Sequence, residues 1–258
     1  MPVNNDRLIL VCNDDGYLAK GLSELIETVK PLGKVIAVVP EKAESGKSHA
    51  ITMTLPLRLN LVKEQDNVTI YSCSGTPVDS IKLALNKVVP RKPDLVVSGI
   101  NHGSNSSISV IYSGTMGAVI EACLNSIPAV GFSLLDYSQN PDFEASKYVA
   151  KKVIENIFKY SLPEMICLNV NIPKIPLKDL KGIKVVRQAK GVWKEEFEER
   201  IDPHNKKYYW MTGDFHNYEL DATDTDEWVL ANNYASVVPI KVDFTAYDAI
   251  NIISRWEL

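Results

Sequence analysis

The chain is 258 residues long, 45% hydrophobic and 23% charged, with 28 basic and 32 acidic residues and a net charge of -4. That balance suits one large α/β domain, or one domain with an appendage, and speaks against a disordered, collagenous or membrane-embedded chain. With no long basic run, a nucleic-acid duplex is excluded as the main partner, while a nucleotide or other small phosphate ester stays open.

The N-terminal residues Met1–Arg7 are polar and lack an apolar signal core, and no apolar run is long enough to span a bilayer. A cytoplasmic protein without a membrane partner is the expectation. Residues 7–13 hold a short, β-branched, apolar run that reads as a strand buried on both faces, leading into Asp14-Asp15-Gly16. From Ala19 to Lys30 the apolar positions Leu22, Leu25, Ile26 and Val29 recur with helical spacing, and Pro31 and Gly33 stop the helix. Val35–Val39 is a second buried strand, followed by a polar loop from Glu41 to Ala50. The loose alternation of Ile51, Met53, Leu55, Leu57, Leu59 and Leu61 predicts an extended segment with one buried face, and Val68–Cys73 a further strand.

Thr76-Pro77-Val78-Asp79 carries a cap, a first-turn proline and an acidic residue at the positive end of the dipole, so a helix is predicted to about Val88. Asp94–Ser98 is a buried strand leading into Gly99-Ile100-Asn101-His102-Gly103, and Ser113-Gly114-Thr115 opens a helix to about Leu124. A strand over 128–133, a helix over 142–159 and a strand over 165–170 follow. Alternating strands and helices imply parallel strands joined by right-handed crossovers. The fold class is therefore α/β, a Rossmann-like three-layer core over residues 1–175 with a mostly parallel sheet. Residues 176–258 are read as a C-terminal extension with strands at 183–189 and 207–211. Between these strands lie Glu195, Glu196, Glu198, Glu199 and Arg200, and the second carries Tyr208, Tyr209 and Trp210. An extended hairpin or arm that packs on another subunit, and a returning segment, are expected there.

The four cysteines, Cys12, Cys73, Cys123 and Cys167, are widely spaced without a C-x-x-C pair, which points to buried free thiols rather than zinc.

The chemistry gathers at strand ends. A single aspartate after a strand needs no more than a turn and a cap. Asp14 and Asp15 together repel each other, more so when partly buried, and a hard divalent cation between them is the simplest remedy. Gly46-Lys47-Ser48 imitates a phosphate-binding P-loop, but Glu41 stands where that motif needs glycine and no helical pattern follows. What remains is a small polar loop able to offer hydroxyls and N–H groups. Asn101, in a glycine-rich loop, offers a neutral oxygen to a hard cation. Ser113, Gly114 and Thr115 at a helix start can hold an anion, although every helix needs such a cap. His49 and His102 fall in these loops, where either could donate a proton to a leaving oxygen. No G-x-S-x-G elbow and no G-x-G-x-x-G after the first strand support a hydrolase triad or a nicotinamide site. On one edge of a parallel sheet these loops share one crevice.

Together, Ile9–Gly16, Ser45-Gly46 with Ser48-His49 and Thr52, Gly75–Asp79, Pro93–Asn105 and Tyr112–Ala118 resemble the SurE survival protein family, the metal-dependent 5′/3′-nucleotidases. Thr225-Asp226 and Ala235–Ile240 look like its closing pattern. The departures are Cys12, Met116, His102 and Ser106. The resemblance implies a Rossmann-like core with an exchanged C-terminal extension. It implies one magnesium or manganese ion per subunit, held by Asp14, Asp15, Ser45 and Asn101. It implies hydrolysis of nucleoside 5′- and 3′-monophosphates and, in some members, short polyphosphate. On this basis Asp14 and Asp15 are the catalytic residues. Gly46, Ser48, Gly103, Asn105, Ser113, Gly114 and Thr115 are the phosphate-binding set, and a homodimer or homotetramer forms through the arm. A nucleotide-binding regulator without catalysis would use the same crevice.

Overall fold

The computed structural model describes residues 6–138 and 140–256. In chain order its strands are β1 (Leu8–Cys12), β2 (Lys34–Pro40), β3 (Leu59–Gln65), β4 (Val68–Cys73), β5 (Leu95–His102), β6 (Ala129–Leu134), β7 (Ile166–Ile172), β8 (Gly182–Val185), β9 (Gly191–Ile201), β10 (Lys207–Asn217) and β11 (Tyr234–Lys241). Nine of them form one sheet in the order β3-β4-β2-β1-β5-β6-β7-β11-β8. From β4 through β7 neighbouring strands run parallel, whereas β3 and β11 are antiparallel to β4 and β7. The expected α/β architecture with a mostly parallel sheet is therefore present, with β9 and β10 as a separate antiparallel pair.

The α-helices are α1 (Lys20–Val29), α2 (Pro77–Leu83), α3 (Gly114–Leu124), α4 (Glu144–Tyr160), α5 (Asp226–Ala231) and α6 (Tyr247–Ile253). Successive side chains of a strand point to opposite faces, and β1 divides itself accordingly. Ile9 and Val11 pack with Leu22, Leu25 and Ile26 of α1 and Val149 and Ile154 of α4. Leu8, Leu10 and Cys12 pack with Ile81 of α2 and Met116, Val119 and Ala122 of α3. The sheet is thus covered on both faces, giving three layers. The predicted start of α2 is a full capping box: Thr76 Oγ1 accepts from Asp79 N at 3.1 Å and Asp79 Oδ2 accepts from Thr76 N at 2.9 Å. All four cysteines are buried free thiols. Among the described residues no helix is long and apolar enough to cross a membrane.

Two expectations are corrected. The segment 51–62 does not bury one face throughout: Leu57 and Leu59 are partly buried against the core, whereas Met53 is 82%, Leu55 70% and Leu61 56% exposed. The strand expected over 183–189 is β8 and stops at Val185, and the charged stretch after it is itself strand β9. β9 pairs along its whole length with β10, from Gly191–Asn217 to Ile201–Lys207. The long hairpin therefore begins earlier than its aromatic half suggested. After it, β11 enters the main sheet between β7 and β8.

The strand order places β1 between β2 and β5. From β1 the chain builds outward through β2 and β4 on one side. It then crosses to β5 and builds through β6 and β7 on the other. The β1–β5 boundary is the topological switch point, where an open α/β sheet leaves a crevice beyond its strand ends.

Candidate functional site

Asp14 and Asp15 follow β1 and Asn101 lies at the end of β5, so the switch point puts both loops at one crevice. Asp14 is buried. Thr115 Oγ1 donates to its Oδ1 at 2.5 Å, and the Glu44 amide donates to its backbone carbonyl at 2.7 Å. Burial, then the neighbouring Asp15 charge, pushes the Asp14 carboxyl up to about 6, against the pull of the Thr115 hydrogen bond. Asp15 is half-buried, accepts from the His102 amide at 3.3 Å, and is also raised by burial. No lysine or arginine is among the charges that act on either carboxyl.

The first turn of α3 is built against Asp14. A Cβ on Gly114 would lie 2.8 Å from Asp14 Cβ, so only glycine admits this approach. Ser113 caps the helix by accepting from Met116 N at 3.1 Å. Asn101 Nδ2 donates to the Gly103 carbonyl at 2.9 Å, which leaves its Oδ1 as the remaining acceptor.

One cavity of about 680 Å³ is lined by Asp14, Ser45, Gly46, Asn101, Gly103, Asn105 and Ser113. Seven residues expected at the site therefore share one space. Asp15, Gly114 and Thr115 lie outside this lining: Asp15 turns towards the His102 amide, Thr115 is fully buried with its hydroxyl on Asp14, and Gly114 is wedged against Asp14. Ser48 lines a neighbouring cavity of about 1040 Å³ together with His49. Its hydroxyl is given to the Ile111 carbonyl at 2.6 Å. His49 Nε2 sits 3.0 Å from Glu121 Oε2, whose other oxygen accepts from Lys82 at 2.8 Å. His102, in contrast, lines the Asp14 cavity, and its Nε2 is buried with no partner among the described residues.

Several residues that support this site, Ser133, Asn169 and Asn171 among them, lie outside the motifs. Asn105 is fixed by a buried ladder: its amide donates to Asn171 Oδ1 and its Nδ2 to Ser133 Oγ, both at 2.8 Å, while Asn169 donates to its carbonyl at 2.8 Å. The signal was two asparagines at alternate positions of an otherwise apolar strand. Asp226, fully buried at the start of α5, accepts from Ser107 N at 2.7 Å and Ala189 N at 2.9 Å. It thereby ties the loop after β5 to the root of the hairpin. The hairpin itself reaches the cavity with Trp193, Met211, Thr212 and Gly213.

The donors facing this cavity are carboxylate, amide and hydroxyl oxygens. The oxygens suit a hard cation, while the one thioether (Met211) and the one imidazole (His102) in the lining do not make the thiolate or multi-histidine set a softer ion takes. Among the described residues no group of three or more His, Cys, Asp or Glu side chains is gathered as a metal cluster. A set with one or two carboxylates and neutral oxygens falls outside that pattern.

A family model described as survival protein SurE matches residues 9–195. A 5′-nucleotidase SurE from Flavobacterium psychrophilum is 52% identical over 252 residues, covering 97% of this chain and 98% of its own. A 5′-nucleotidase SurE from Phocaeicola vulgatus is 45% identical over 251 residues, covering 97% of each. The crystal structure of the SurE protein from Aquifex aeolicus superposes with a TM-score of 0.82 at 35% identity, covering 96% of this chain and 98% of that one.

Proposed function

The chain belongs to the SurE survival protein family, and from that premise we propose that it is a metal-dependent 5′-nucleotidase, releasing phosphate from nucleoside 5′-monophosphates. One observation carries the reading. Asp14 is a buried carboxylate without a cationic partner among the described residues, at a cavity shared with Ser45 and Asn101. A buried, unpaired charge is costly, and a divalent cation offsets that cost.

Asp14, Asp15, Ser45 and Asn101 would hold the ion, magnesium or manganese, one per chain. When bound, it supplies Lewis acidity to a phosphate oxygen and a template for the attacking water. The remaining work belongs to the protein. Thr115 and Gly114 fix Asp14. Gly46 presents its backbone N–H and Ser113 its hydroxyl to the phosphate, while Gly103, whose N–H is given to the Leu134 carbonyl, contributes a close backbone wall. His102 is the better placed of the two loop histidines to hand a proton to the leaving oxygen, since it lines this cavity while His49 is engaged with Glu121. Hydrolysis of 3′-monophosphates and short polyphosphate belongs to the same proposal. So does a homodimer or homotetramer joined through the hairpin, whose Phe197, Tyr209 and Trp210 stand exposed.

The test is phosphate release from a panel of nucleoside 5′- and 3′-monophosphates and tripolyphosphate, with chelator and after adding back magnesium or manganese. Metal-dependent release from 5′-monophosphates supports the reading. Tight nucleotide binding without any release over hours would instead favour a regulator.

A further inference from the structure

The lining of the Asp14 cavity is of two kinds. One is the carboxylate, the glycine-rich backbone and the Ser113 cap. The other is a set of large side chains with no part in holding a phosphate: Tyr137 from the loop after β6, and Trp193 and Met211 from the hairpin.

Each wall residue is seated by a specific contact. Gly103 (φ +119°) has no Cβ, and one placed there would come within 2.3 Å of Tyr137 Cε1. The Tyr137 ring therefore rests on the backbone of the Asn101–Gly103 loop, and it remains 76% exposed. Trp193 donates its indole N–H to Ser109 Oγ at 3.1 Å, and its ring lies 5.9 Å from that of Phe215 at 60°. That fixes the indole while leaving 36% of the residue accessible. Met211, paired across the hairpin with Phe197, lines the same cavity, is polarisable and is 65% exposed. Apart from Asp14 and His102, every residue lining this cavity is neutral.

We propose that Tyr137, Trp193 and Met211 form the nucleobase subsite, so that the hairpin supplies substrate selection to the core that supplies the phosphate site. The inference rests on the nucleotidase reading and says what it selects. Aromatic faces and a thioether hold a flat heterocycle by stacking and dispersion, and stacking is tolerant of base identity because every base has a π-face. The subsite therefore recognises that a base is present more than which base it is. Trp193 and Tyr137 are specificity-determining residues and touch no reacting atom.

The experiment compares adenosine, guanosine, cytidine and uridine 5′-monophosphates with ribose 5-phosphate, which keeps the phosphate end and lacks the base. Variants are Trp193→Ala, Trp193→Phe and Tyr137→Ala, the last at an exposed position where truncation leaves the fold alone. For the alanine variants, kcat/KM on the four nucleotides should fall about tenfold more than on ribose 5-phosphate, chiefly through KM. Trp193→Phe should restore most of the loss. Equal losses on nucleotides and ribose 5-phosphate, or no loss in either alanine variant, would overturn the subsite. If the unaltered protein hydrolyses neither kind of ester, the nucleotidase reading fails. Equilibrium dialysis of adenosine 5′-monophosphate against the same variants then decides the subsite alone: undiminished binding in Tyr137→Ala and Trp193→Ala rejects it, and weakened binding upholds it.

Discussion

Thr115 Oγ1 donates to Asp14 Oδ1 at 2.5 Å, so the first turn of α3 and the end of β1 are joined through the most buried carboxylate of the site. Thr115→Val keeps the shape and removes the donor. Asp14 then loses the hydrogen bond that opposes its upward shift and is free to rotate. The expected outcome is a fold that survives with metal affinity or activity reduced by about 10–100-fold, the cost common for a partner that orients a metal ligand. Metal titration by calorimetry, with phosphate release on the same sample, reads it. Wild-type affinity in Thr115→Val would show that the hydroxyl merely fills space.

Gly117, inside α3, gives a prediction whose sign separates packing from propensity. A glycine in a helix interior usually costs stability relative to alanine, by roughly 0.5–1 kcal/mol. Here a Cβ would lie 2.4 Å from the Ser48 carbonyl oxygen, a backbone atom of the serine loop. Gly117→Ala should therefore destabilise, by about 1–3 kcal/mol as overpacking does. It should also push the Ser45–Ser48 loop from the cavity and lower activity. Urea denaturation measures the first effect, and an unchanged or raised midpoint would refute the tight contact.

The core of the site was legible in the sequence because its signals are local. A short β-branched run that breaks into Asn13-Asp14-Asp15 announces a strand end, and Thr76-Pro77 with Asp79 announces a helix start that the structure shows as a capping box. Other features depend on partners distant along the chain. Asn171 finds the Asn105 amide 66 residues away, and Trp193 finds Ser109 at a separation of 84. Nothing local to either residue encodes that meeting. The alternation through Met53 and Leu55 failed for a related reason. Periodicity states which residues share a face, and it does not supply the element that covers it. Asp15, Gly114 and Thr115 stand at the expected strand end and helix start, but their contacts with the His102 amide and with Asp14 join segments distant along the chain, which local patterns do not encode.

The root of the hairpin should be sensitive to acid. Arg187 binds Glu219 through its NH1 at 2.8 Å and Asp224 through its Nε at 2.8 Å. Arg187, with the Lys190 amide, holds the Glu219 carboxyl down to about 2, and Arg187 lowers Asp224 as well. A carboxyl lowered on folding contributes stability that is present above its unfolded value and is lost as pH falls through the folded one. The window for Glu219 is therefore from about 4.5 down to about 2. Protection factors for amide hydrogen exchange over β9 and β10, taken against the intrinsic rate at each pH, should fall across that window while those of the central strands hold. Arg187→Gln should show quick exchange already at neutral pH. Because the groups are solvent-accessible, added salt should blunt the difference. Identical protection of the hairpin at pH 5 and pH 3 would remove this clamp from the account.

The metal assignment makes the strongest demand. Asp14 and Asp15 are adjacent, both raised by burial, and Asp14 is raised further by its neighbour. If a cation relieves that repulsion, exhaustive chelation should abolish phosphate release and also lower the melting temperature, since a ligand bound only by the folded state stabilises it. Adding magnesium or manganese should reverse both. Asp14→Asn separates the two effects. It removes a buried charge, so the chelated variant should melt no lower than the chelated wild type. It also removes the ionised oxygen, so metal should no longer raise its melting temperature and activity should fall about a thousandfold, the equivalent of several kcal/mol of transition-state stabilisation. An Asp14→Asn protein that still gains stability from the cation would place the ion elsewhere. Activity that survives chelation would dismiss the metal while leaving the crevice and its aromatic wall in place.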